Sequence, residues 1–227
     1  MRLRGEREQL IGYARRLETD GLALGTAGNL SVRVGDLVAI TPSCIPYGQL
    51  EPASICIVGL DGERLEGPFP PSSELPMHLE IYRATGTRAV VHTHSPFATA
   101  VATTLDELPA IHYLSAELGG CVRAAGYATF GSEELASSTA EALAGRTAVL
   151  LQCHGAVTIG EDLASAYGRS LLLEWLAALY CRGRSIGMPM TLPDEEIQHV
   201  ADRLRQARRG DQSWQEGRGV EGGAVRT

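Results

Sequence analysis

Apolar side chains recur along this chain in two rhythms. Leu10, Ile11, Ala14 and Leu17 share one face at helical spacing, which predicts an amphipathic helix over residues 6–20. A small-residue segment, Gly21 to Asn29, leads into LSVRV (30–34) and LVAI (37–40), which alternate as strands do. Gly35-Asp36 between them has the chemistry of a hairpin turn. ICIVGLDGERLEG (55–67) repeats that form with Asp61-Gly62 at its tip. Residues 74–85 return to helical spacing, and RAVVHTHS (88–95) reads as a buried strand. A helix over 96–104 is expected from Pro96, with Ser95 as its cap. TAVLLQC (147–153) predicts a strand running into His154-Gly155. The longest helix is expected over 161–182, where Leu163, Ala166, Tyr167, Leu176 and Ala177 line a broad apolar face. A short helix over 194–207 should end the pattern, because Gly, Arg and Gln dominate from Arg208 onward.

Strands and helices interleave without tandem repeats or an obvious linker, and several strand pairs look like hairpins. The expectation is one α/β domain over 1–206, with a mixed sheet rather than a doubly wound one, and a mobile tail over 207–227.

Composition narrows the class. At 44% apolar residues, 227 positions suffice for a well-packed core, and no apolar run approaches the ~18–20 residues that cross a bilayer. Acidic residues in Met1-Arg-Leu-Arg-Gly-Glu-Arg-Glu stand where a signal peptide is apolar, so a cytoplasmic protein is expected. A net charge of −7 disfavours nucleic acid and anionic membrane as partners. The five cysteines are scattered, form no Cys-x-x-Cys pair, and read as thiols in a reducing compartment.

All 20 basic residues are arginines. A Schiff-base aldolase, a pyridoxal-phosphate enzyme and a Walker-type phosphate loop each need a lysine amine, so all three are excluded. Carbanion chemistry here would need a metal or another cofactor as electron sink.

His92-Thr-His94 closes an apolar strand, where positions i and i+2 face the same way about 6.5–7 Å apart. By itself the pair fits either a shared metal or ordinary polar contacts. His154 follows another apolar strand and precedes Gly155, as suits a strand-end turn; three imidazoles with one open position are the makings of a catalytic zinc site. Cys153 should point the opposite way if that strand continues. Glu74 and His78 are four apart on one expected helix face, and Ser72-Ser73 before them offers hydroxyls and amides to an anion. The carboxylate of Glu74 fits the helix dipole equally well, and His78 fits a core hydrogen bond. Gly25-Thr-Ala-Gly-Asn-Leu-Ser31 and Thr41-Pro-Ser43 can present amides and hydroxyls to phosphate, or simply form turns. His112 and Tyr113 fit packing, although a tyrosine beside a metal would serve as a proton donor.

GTAGNLSVR (25–33), ITPSCIPY (40–47), PSSE (71–74), VVHTH (90–94), PAIHY (109–113), YATFGSEELA (127–136) and LLQCHGAV (150–157) occur in the order seen in the class II aldolase/epimerase family. The chain resembles that family from about residue 6 to 206. The resemblance implies a three-layer α/β/α fold with a central mixed, largely antiparallel sheet. It implies one Zn2+ per subunit on His92, His94 and His154, Glu74 as catalytic acid/base, and Tyr113 as proton donor to the aldehyde oxygen. Gly28, Asn29, Ser43, Ser72 and Ser73 match the family's phosphate pocket. The implied activity is reversible cleavage of a ketose 1-phosphate, such as L-fuculose 1-phosphate or a 5-deoxypentulose 1-phosphate, to dihydroxyacetone phosphate and an aldehyde. A homotetramer with sites at subunit interfaces is implied too. Same-scaffold alternatives are a 4-epimerase, a dehydratase or a non-catalytic interaction module. The epimerase's aspartate-bearing segment after the zinc pair has no counterpart in AIHYLSAEL. Two departures bear on substrate. Cys44 replaces the usual glycine after Thr-Pro-Ser, where its amide serves if the backbone needs no positive φ. RQARRGDQSW lacks the C-terminal tyrosine of fuculose-phosphate members.

Overall fold

The computed structural model describes residues 1–220, with side chains described through 207. The opening helix α1 (Arg4–Thr19) buries Leu10, Ile11, Ala14 and Leu17, the face its spacing predicts. The hairpin β1 (Asn29–Val34) and β2 (Leu37–Ile40) closes through Gly35, whose φ of +60° needs no Cβ at the first turn position. A second hairpin, β3 (Cys56–Gly59) and β4 (Arg64–Glu66), turns through Gly62. Then come α2 (Leu75–Thr85), β5 (Ala89–Thr93) and α3 (Pro96–Ala102). Ser95 sits at the N-cap of α3 but makes no capping hydrogen bond; Glu174 instead accepts from the Phe97 and Ala98 amides at 2.9 and 2.8 Å.

The next elements are β6 (Glu107–Leu108), a 3-10 turn (Tyr113–Leu118), β7 (Val122–Ala125) and α4 (Glu133–Ala142). β8 (Ala148–Leu151) and β9 (Gly155–Gly160) form another hairpin, followed by α5 (Leu163–Ile186) and α6 (Asp194–Val220). The expected strand over 147–153 therefore stops early, because the chain must turn back within three residues. The 27-residue α6, not the 24-residue α5, is the longest helix. Loss of apolar spacing after 207 did not end α6, which runs on to Val220. The expected tail thus begins inside α6, and its last part, 221–227, lies outside the described residues.

Among the described residues nine strands form one sheet in the order β4-β3-β2-β1-β5-β9-β8-β7-β6, antiparallel except for β7 beside β8. Strand alternation sends Val38, Val58, Val90, Val149 and Val157 toward α2 and α4. It sends Leu30, Val32, Ala39, Ala89 and Val91 toward α1 and α5. Ala148, Leu150 and Ala156 meet α3 and α5 on that second side. The sheet is thus sandwiched between helical layers, as expected. Among the described residues no helix is long and apolar enough to cross a membrane.

The site follows from this register. β5 lies at the middle of the sheet, fully buried, between β1 and β9. Its odd and even positions face opposite layers, so His92 shares the α2 side with Val90. Asn29 and Ser31 pair with His92 and Val90 respectively, and so face the same helix.

Candidate metal and phosphate site

Four side chains from three separated segments converge at one end of the sheet. His92 is the penultimate residue of the fully buried β5. His94 lies just past the strand, where its amide donates to the Leu22 carbonyl at 3.0 Å. His154 occupies the β8–β9 turn, and Glu74 stands at the N-cap position of α2 without a capping side-chain hydrogen bond. The ring centroids of the three histidines lie 4.8, 4.9 and 4.9 Å apart. One donor atom from each ring and from Glu74 fall within 4.8 Å of one another.

Two glycines permit this approach. Gly28 has φ +88°, and a Cβ there would lie 2.7 Å from the His92 carbonyl oxygen. A Cβ on Gly155 would collide with the Thr93 carbonyl. Each lets a neighbouring loop press against the end of β5.

The electrostatics call for a cation. His92 Nδ1–H donates to the Ala156 carbonyl at 3.0 Å, which leaves the lone pair of Nε2 facing the cluster. That Nε2 is 2.9 Å from His94 Nε2 and 3.0 Å from Glu74 Oε2. Extra protons on His94 and His154 would relieve the crowding, but burial opposes them. It pushes the His94 imidazole down to about 3, helped by the neighbouring His92 and His154, and lowers His154 as well. Burial works against the Glu74 carboxylate too, yet positive charge at His92, with the hydrogen bond from Asn29 and positive charge at His154, holds its pKa well below the usual range; a proton on those rings or a cation shared with them supplies that charge. Glu74 Oε1 lies 3.3 Å from His154 Nε2 and is buried without a hydrogen-bond partner. Three imidazole nitrogens and a carboxylate with an orphaned oxygen are the donor set of a divalent-cation site.

A cavity of about 320 Å³ opens from this cluster. Gly28, Asn29, Ser43, Ser72, Ser73, Glu74, His94 and His154 all line it; His92 is buried behind them. An isolated bridge between Pro42 and Pro71 brings the Ser43 turn to the Ser72-Ser73 turn. Ser43 N–H is spent on the Pro70 carbonyl at 3.0 Å, so its hydroxyl is the group it offers. Ser72 Oγ accepts from the Glu74 amide at 3.2 Å and keeps its own proton to donate. The N-terminus of α2 adds the positive end of a helix dipole to this wall. No lysine or arginine is among the lining residues.

Three expectations change here. Cys153 does not point away from His154: the strand ends at Leu151, Cys153 takes φ +53° in the turn, and both residues line the cavity. Cys44 has φ +58°, so the backbone does require the left-handed conformation that glycine supplies elsewhere. Cys44→Gly should therefore raise stability by about 0.5–1 kcal/mol, or roughly 1–4 °C in Tm. An unchanged or lower Tm in a thermal melt would refute the strain. Tyr113 is the third. It is half-exposed on the 3-10 turn, beside Val200, Arg203 and Leu204 of α6, and is not among the residues lining the cavity.

Sequence reasoning did not single out Thr26, Tyr127 and Phe130, which also line the cavity. Tyr127 and Phe130 are exposed aromatics in one short loop, a pattern that is a detectable sign of a binding rim. It also missed that Asn29 Nδ2 donates to Glu74 Oε2 at 2.9 Å.

The sequence profile of the family described as Class II Aldolase and Adducin N-terminal domain matches residues 8–181. A 5-deoxy-D-ribulose 1-phosphate aldolase of Bacillus thuringiensis serovar kurstaki is 41% identical over 207 residues, covering 90% of this chain and 97% of the relative. The L-fuculose phosphate aldolase of Escherichia coli K12 is 40% identical over 200 residues, covering 87% of this chain and 93% of the relative. A solved L-fuculose 1-phosphate aldolase superimposes with a TM-score of 0.87 at 38% identity, covering 88% of this chain and 96% of that one.

Proposed function

Because the chain belongs to the class II aldolase and adducin N-terminal domain family, we propose that it is a zinc-dependent aldolase cleaving a ketose 1-phosphate. The observation that carries the proposal is the convergence of Glu74, His92, His94 and His154 beneath a cavity walled by serine hydroxyls and a helix N-terminus. A 5-deoxypentulose 1-phosphate is the preferred substrate, with L-fuculose 1-phosphate second; the absence of a tyrosine from RQARRGDQSW favours a smaller or less polar distal end. The products are dihydroxyacetone phosphate and a small aldehyde.

His92, His94 and His154 would hold one Zn2+ per subunit, which when bound supplies Lewis acidity that stabilises negative charge on substrate oxygens. The protein's own groups do the rest. Asn29, Ser43, Ser72 and Ser73, with the backbone at Gly28, hold the 1-phosphate and fix the carbon skeleton over Glu74. Loss of the C4 hydroxyl proton opens the C3–C4 bond. Glu74 Oε1, the oxygen without a hydrogen bond, removes the C3 proton in the synthetic direction as a carboxylate; in cleavage it first takes up one proton from solvent and then delivers it to C3. Tyr113 exchanges the proton on the aldehyde-derived oxygen. Since it lies away from the cavity of its own chain, it would reach the site of a neighbouring copy in a homotetramer. We place the enzyme in the cytoplasm, with no nucleic-acid or membrane partner.

The test is release of dihydroxyacetone phosphate, followed with a coupled dehydrogenase, from 5-deoxyribulose 1-phosphate and L-fuculose 1-phosphate. Cleavage of one or both, lost with chelator and restored by zinc, is expected, with the deoxypentulose preferred. Epimer formation without released product, or no reaction with either, would refute the aldolase reading.

A further inference from the structure

Behind Glu74 lies a chain of buried polar groups of which the proposed reaction itself uses only Asn29. Asn29 Nδ2 donates to Glu74 Oε2 at 2.9 Å, and Asn29 Oδ1 lies 2.5 Å from His78 Nε2. His78 Nδ1 is 2.6 Å from Ser31 Oγ, which is 2.6 Å from the Tyr82 hydroxyl. His78, Ser31 and Tyr82 have no exposed surface, and Asn29 is 6% exposed. Their alignment follows from two repeats. Asn29 and Ser31 are i and i+2 on β1, about 6.6–6.8 Å apart; Glu74, His78 and Tyr82 climb α2 in steps of four residues, about 6 Å each. The near-match of these rises keeps strand and helix in register over two steps.

The carboxylate makes the whole chain run one way. Ionised Glu74 only accepts, so Asn29 must turn its NH2 toward it and its carbonyl toward His78. That carbonyl also only accepts, so His78 carries its proton on Nε2. Nδ1 then accepts from the Ser31 hydroxyl, and Ser31 Oγ accepts from Tyr82 O–H. An amide of this kind has two orientations; Glu74 selects one of them, and the Asn29 oxygen then needs a donor to anchor it there. The Nε2–H of His78 supplies it. With the amide reversed, Asn29 would face Glu74 with its oxygen, two acceptors opposed in a buried site.

We propose that His78 is a positioning residue for Glu74: by fixing the orientation of the Asn29 amide, it holds the carboxylate through Oε2 and leaves Oε1, which has no hydrogen bond and lies 3.3 Å from His154 Nε2, for proton transfer. This rests on the proposed proton-transfer role of Glu74. His78 touches neither substrate nor metal ligands in this role; it acts through Asn29.

The test has two parts, both on the full chain. In long-range 1H–15N spectra of histidine-labelled wild type, with the resonance assigned from His78→Gln, His78 should be the neutral Nε2–H tautomer. In exchange of the dihydroxyacetone phosphate C–H proton, His78→Leu should lower the rate about 10- to 100-fold, the effect of one hydrogen bond to a charged group. His78→Gln retains an N–H in the same place and should stay within about threefold of wild type. Metal content and Tm are measured for each, since a packing role alone would not restore activity selectively in the Gln variant. An Nδ1–H tautomer overturns the proposal. So does a Leu variant within threefold of wild type, or a folded Gln variant no better than the Leu one. If wild type exchanges no proton, the aldolase reading fails instead, and the tautomer still decides whether the relay runs as described.

Discussion

Glu74→Gln should leave the metal bound and reduce exchange of the dihydroxyacetone phosphate proton by roughly 10²–10⁴-fold, the contribution of one well-placed acid/base. The substitution is close to isosteric. The Gln carbonyl still accepts from Asn29 Nδ2, and its NH2 occupies the place where Oε1 faces His154 Nε2 at 3.3 Å. What disappears is the capacity to carry a proton. His92, His94 and His154 remain, so the metal content should match wild type. Exchange measured by loss of isotope from labelled dihydroxyacetone phosphate isolates this step from aldehyde chemistry. A Gln variant exchanging at the wild-type rate would remove Glu74 from the proton transfer.

The second large effect is expected at His154. His154→Ala deletes one of three imidazoles but spares the fold, because the turn is held by the backbone bond from His154 N to the Leu151 carbonyl at 3.1 Å. His92 would be a poorer choice: its ring is fully buried and satisfies the Ala156 carbonyl, so its removal mixes folding with binding. Metal affinity in the His154 variant should fall by more than about 100-fold, beyond what loss of an outer-shell partner costs. Activity should fall with it, and a large excess of zinc should restore it only in part. A variant that keeps stoichiometric metal and full activity would exclude His154 as a ligand.

Much of this was legible in the sequence because it is local. Gly35-Asp36 and Asp61-Gly62 announce their hairpins, and the apolar run before His92 announces a buried strand that turns alternate residues to one side. His92 and His94 could be paired from spacing alone; His154 needed the β5–β9 pairing to reach them. Where the reading went astray, the cause was a change of backbone direction that residue types do not display. Gln152-Cys153-His154 looks like a continuing strand, yet it is a turn with a left-handed cysteine, so Cys153 and His154 end on the same cavity. β6 and β7 are short and bear ordinary residues. α4 did carry a signal: Ser132 before Glu133 and Glu134, with the Ser132 side chain accepting from the Leu135 amide. The relay was beyond reach in one dimension. Asn29 and His78 are 49 positions apart, and only the packing of β1 against α2 makes a core histidine part of the carboxylate's surroundings. Tyr113 shows the converse: a residue matched by motif need not lie at the site of its own chain.

The central claim is that three imidazoles share one divalent cation. Anomalous diffraction at the zinc edge, on crystals grown without added metal, tests it most directly. One peak per chain is expected within bonding reach of Nε2 of His92, His94 and His154. Active protein with no peak there, or with its metal elsewhere, would contradict it.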